Sequence, residues 1–64
     1  MIRKLSEKEA AGMTVNERLF VSGLFDEFDK AVNERDENAM RAILEQVYLT
    51  SENIKAIIRS ELGN

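Results

Sequence analysis

The residues best placed to do chemistry are the carboxylates of Phe25-Asp26-Glu27-Phe28-Asp29-Lys30, because the chain has neither histidine nor cysteine. That composition excludes imidazole acid–base catalysis, thiolate nucleophiles and the usual transition-metal ligands. Carboxylates can still bind calcium or work as a catalytic pair. In a calcium loop opening at Asp29, the third position is Ala31, the turn glycine is Glu34 and the bidentate glutamate is Met40. Three defining positions therefore fail. As a catalytic pair, Asp26 with Asp29 or Lys30 occupies adjacent helix positions, but such chemistry needs a cavity that holds substrate. Three short helices rarely enclose one. These acids read as the solvated face of a helix. The chain reads as non-enzymatic, with no catalytic, cofactor-binding or metal-binding residue and no small-molecule ligand.

Nucleic-acid recognition is the second chemistry to weigh. The segment Leu5-Ser6-Glu7-Lys8-Glu9-Ala10-Ala11 is similar to the opening of some helix-turn-helix modules. The helix after it would be the reader, and its start offers Asn16 and Arg18 with Glu17 between them. A reader also needs basic groups for phosphate contacts. The formal net charge is −3, with +1 on residues 1–12, −3 on 13–36 and −1 on 37–64. The most acidic segment is thus the one that would lie on DNA, so a DNA-binding regulator is the alternative reading and nucleic acid is not an expected partner.

The third possibility is a contact between proteins. Read as one helix over 14–35, the chain places Phe20, Val21, Leu24, Phe25, Phe28, Ala31 and Val32 on one arc of roughly 140° at 100° per residue. That arc is the expected core face. Val15 and Leu19 fall on nearly the opposite side, beside Ser22 and Gly23. A mid-helix glycine costs on the order of 1 kcal/mol relative to alanine and is best tolerated where another backbone approaches. Val15, Leu19 and Gly23 are therefore the candidate interaction residues. They could be covered by the N-terminal segment, through Ile2, Leu5 or Met13, or by a second copy of the chain. The second copy is favoured, because a chain this short gains stability by association.

The elements that must position these groups follow from caps and periodicity. Ser6 and Glu9 form a capping box for one short helical turn, with Gly12 as its stop. Thr14 and Glu17 form a second box at the start of the long helix. Asp36 is an N-cap, and Met40, Ile43, Leu44, Val47 and Tyr48 follow the i, i+3, i+4, i+7, i+8 pattern of an amphipathic helix. The short linker before it predicts an antiparallel hairpin with the long helix. Thr50 caps the last helix, with Leu49 and Ile54 spaced as a hydrophobic staple. Ile54, Ile57, Ile58 and Leu62 form its apolar stripe, and Gly63 its end. No segment alternates as a strand would.

The expected fold is all-α: a helical hairpin plus a third helix, with a short N-terminal helical turn. Residues 1–12 are the arm or turn, and 13–64 a single small helical domain. The expected core is Phe20, Leu24, Phe28, Met40, Ile43, Leu44, Val47, Ile54, Ile58 and Leu62. At 64 residues the chain is one domain at most, without disulfides. It has no signal peptide or membrane-spanning run, which makes the cytoplasm the expected location.

Met13-Thr14-Val15-Asn16-Glu17-Arg18-Leu19-Phe20, then Gly23-Leu24, Phe28-Asp29, Arg35-Asp36, Met40, Leu44 and Val47-x-Leu49, carry a resemblance. The chain resembles a group of small uncharacterised bacterial proteins that often begin at the equivalent of Met13. The likeness covers a little over half the chain and fades after Leu49. It implies a bacterial origin, a small helical fold and an N-terminal extension over the first twelve residues, and it supplies no functional residues. The expected function is a non-enzymatic protein–protein interaction module. Its partner is itself, as a homodimer or higher assembly, or another protein, and no membrane is involved.

Overall fold

The computed structural model describes residues 5–63. Ile2 and the rest of the proposed arm over 1–4 lie outside them. Among the described residues there are five helices and no strand: α1 Glu7–Ala10, α2 Val15–Ser22, α3 Phe25–Asn33, α4 Glu37–Gln46 and α5 Ser51–Leu62. The all-α class is as expected. The radius of gyration, 11.0 Å, is close to the about 10.7 Å that a compact chain of this length adopts.

Four helix starts are those marked in the sequence. Ser6 and Thr14 each close a reciprocal capping box, with Glu9 and Glu17 reaching back to the cap backbone. Asp36 accepts from the Ala39 backbone N–H at 3.1 Å, and Thr50 from that of Asn53 at 3.3 Å. Gly12 lies in the turn after α1 without the left-handed backbone of a glycine stop.

The expected single helix over 14–35 is two helices. Gly23 adopts φ 77°, the left-handed conformation that closes α2. The N–H of Leu24 donates to the Leu19 carbonyl at 2.9 Å and that of Gly23 to the Phe20 carbonyl at 3.2 Å. This pair of bonds is the Schellman stop, which also pairs the apolar residue after the glycine with one five positions earlier. Leu24 and Leu19 are both buried, as that pairing requires. Gly23 therefore has a capping role, and the mid-helix cost assigned to it does not arise.

The same stop recurs without glycine. At the end of α3, Asp36 N–H reaches the Ala31 carbonyl and Arg35 N–H that of Val32. At the end of α4, Leu49 N–H reaches the Leu44 carbonyl and Tyr48 N–H that of Glu45. Arg35 and Tyr48 are left-handed, at φ 55° and 64°, which costs about 1 kcal/mol or more for a residue with a side chain. Both turns are tied by arginines. Arg18 Nη1 donates to the carbonyls of Val47 at 3.1 Å and Tyr48 at 3.4 Å, while its Nε bonds the Met13 carbonyl. Arg35 Nη2 donates to the Leu62 carbonyl at 2.9 Å, at the end of α5. A cation at a helix C-terminus satisfies orphan carbonyls and opposes the helix dipole.

The principal pairings are α2 with α3, α3 with α4 and α4 with α5, so from α2 onward each helix packs on its neighbour in sequence. The hairpin is formed by α3 and α4. The ten residues of the expected core are buried except Phe20, which is 77% exposed. Phe25, on the expected core arc, is 41% exposed, so two of the three phenylalanines placed on that arc are not core. Leu5, Ala10, Leu19 and Ala31 join the core. The described part of the first twelve residues is thus packed into the domain rather than appended to it.

Candidate interaction surface

Because Gly23 resets the helix direction, the angular phase of α3 cannot be carried back into α2. The inward face of α2 is Val15, Leu19 and Ser22, at i, i+4 and i+7. Leu19 is 1% exposed, Ser22 is buried with its hydroxyl donating to the Leu19 carbonyl at 3.2 Å, and Val15 is half-buried against the core. Of the three candidate interaction residues, Leu19 therefore belongs to the interior of the single chain and Val15 is partly covered beside it. Leu5 and Met13, the local covers weighed for them, lie in or against the same core. As a contact residue for a second copy, Leu19 is corrected by this burial.

Gly23 is exposed, but its neighbours are different ones. Phe20, one residue past Leu19, points to solvent, and Phe25, the first residue of α3, is 41% exposed. The glycine turn brings these rings to one surface. Phe20, Gly23, Phe25 and Asp26 line an open hollow of about 390 Å³. An adjoining hollow of about 370 Å³ is lined by Asn16, Glu17, Phe20, Val21 and Phe25. Both phenylalanines belong to both hollows, so this is one continuous patch with Glu17 and Asp26 at its rim. The sequence signal for it was the Gly23-Leu24 pair, whose reading as a helix stop frees Phe20 from the core arc.

A separate hollow, of about 210 Å³, lies between α4 and α5 and is lined by Glu37, Arg41, Lys55, Ile58 and Arg59. Lys55 and Arg59 are one helical turn apart, each following a buried isoleucine, Ile54 or Ile58. Their cations therefore stand at the margin of the core stripe, lining the same hollow as Arg41 of α4.

The other chemistries can be placed on the same geometry. Asp26, Glu27 and Asp29 are exposed on α3, in regular helix rather than a loop, and Met40 is fully buried. Among the described residues, no three side chains of the ligating types converge to hold a metal ion. None of the described helices is long and apolar enough to cross a membrane. Arg18, the cation that a DNA reader would present, is committed to three main-chain carbonyls. Compared with known protein families, curated proteins and solved structures, the chain matches none.

Proposed function

We propose that the protein is a small non-enzymatic interaction module that self-associates through the patch centred on Phe20 and Phe25. The observation that carries this reading is the exposure of two phenylalanines side by side around the Gly23 turn. Single exposed apolar residues need no explanation, but adjacent aromatic rings in a rimmed apolar surface are the usual anchors of protein contacts. A second copy is the favoured occupant, since a chain of this length leaves roughly 40% of its unfolded surface in water and gains most from further burial. A bacterial origin and the cytoplasm as the site of action are part of the same proposal, carried over from the expectations drawn from the sequence. The DNA-binding reading has less support, because Arg18 is tied inside the fold and the aromatic patch is rimmed by acids.

Light scattering over a concentration range of roughly 1 μM to 1 mM tests the proposal, as it spans weak to moderate association. The parent chain is expected to gain mass with concentration. Phe20→Gln keeps a good helix former at an exposed site, so it should retain the parent's melting temperature at low concentration. It should weaken association by about tenfold or more, equivalent to ~1.4 kcal/mol. A parent chain that stays monomeric throughout would remove the reading.

A further inference from the structure

The aromatic patch and the α4–α5 hollow differ in charge. Glu17 and Asp26 rim the first. Arg41, Lys55 and Arg59 outnumber Glu37 in the second. The two surfaces share no lining residue.

We propose that the patch of one copy docks onto the α4–α5 hollow of the next, making the self-contact head-to-tail. This rests on the self-association reading above and adds its geometry. A two-fold contact of patch on patch would bring Glu17 and Asp26 of one copy towards the same carboxylates of the other, and like charges across an interface oppose association. The α4–α5 hollow offers the complementary sign, with Arg41, Lys55 and Arg59 against one carboxylate, Glu37. Its arginines can also stack on aromatic faces, which suits Phe20 and Phe25. A head-to-tail contact leaves one free patch and one free hollow at the ends of every assembly. It therefore builds rings or open chains rather than stopping at two copies.

Complementation between two variants tests the geometry. Phe20→Gln disables the patch, and the double change Lys55→Glu with Arg59→Glu disables the hollow. Both act on exposed positions, and Arg41→Glu replaces the double variant should that one lose its helical signal. Each variant alone is expected to be monomeric at concentrations where the parent assembles. An equimolar mixture should form a 1:1 complex and nothing larger, because only one productive contact remains. That complex should weaken as salt is raised. A mixture that stays monomeric while the parent associates overturns the head-to-tail geometry and leaves self-association standing. So does a charge-reversed hollow that associates as the parent does. A parent that never associates removes the self-association reading, and this proposal with it.

Discussion

Leu19→Glu is expected to abolish the fold. Leu19 is 1% exposed and sits at the Schellman stop that turns α2 into α3. A carboxylate there loses the leucine's burial, about 2–5 kcal/mol, and leaves a charge in the interior without a partner, which costs several kcal/mol more. A 64-residue domain has about 3–10 kcal/mol of stability in total, at 0.05–0.15 kcal/mol per residue. The penalty matches or exceeds it. Far-UV circular dichroism at 25 °C should show loss of helix, while Leu19→Met, which roughly conserves volume, should melt cooperatively. A glutamate variant that is helical and melts near the parent would mean that Leu19 faces solvent and that the helix continues through Gly23.

Leu44→Ala carries the next largest effect. Leu44 is 0% exposed, and its carbonyl also receives the Leu49 N–H that closes α4. Truncating a fully buried leucine costs about 2–5 kcal/mol, depending on how far the cavity collapses. With stability of about 3–10 kcal/mol available, the variant should be partly unfolded at 37 °C or have a greatly lowered midpoint in urea. The slope of the transition should be unchanged, since the surface exposed on unfolding is nearly the same. A midpoint equal to the parent's would displace Leu44 from the core.

Much of this architecture was legible in the chain because short polar side chains announce helix starts. Ser6, Thr14, Asp36 and Thr50 bond where their types and spacing predict. The stripes of α4 and α5 were legible for a related reason. Each lies almost wholly within one unbroken helix, so a single angular phase describes Met40 through Leu44 and another Ile54 through Leu62. Val47 is buried as the cap just past α4, whereas Tyr48, expected on that stripe, lies beyond the helix and is 40% exposed. Helix stops were less visible. Arg35 and Tyr48 take the left-handed conformation although neither type favours it, and tertiary bonding rather than local preference holds them there. Gly23 did carry a signal, but the apolar residues on either side can be threaded on one continuous 100° wheel. Extending the phase of α3 backwards turned Phe20 inward and Leu19 outward, which inverted the candidate surface. The patch of Phe20 and Phe25 is the complement of that error: once Leu19 takes the interior, the neighbouring ring has only solvent to face.

The lengths set by these stops determine how the molecule comes apart. The longest helix is α5, at 12 residues, and α2, α3 and α4 have 8, 9 and 10. Isolated helices shorter than about 12–15 residues are marginal in water, so none of the five persists once its neighbours leave. Arg18 joins α2 to the end of α4, and Arg35 joins the α3 stop to the end of α5, so opening one end of the bundle strips bonds from the other. The domain accordingly has no stable half. A cut in the α2–α3, α3–α4 or α4–α5 turn is therefore expected to release two unfolded pieces rather than a trimmed core.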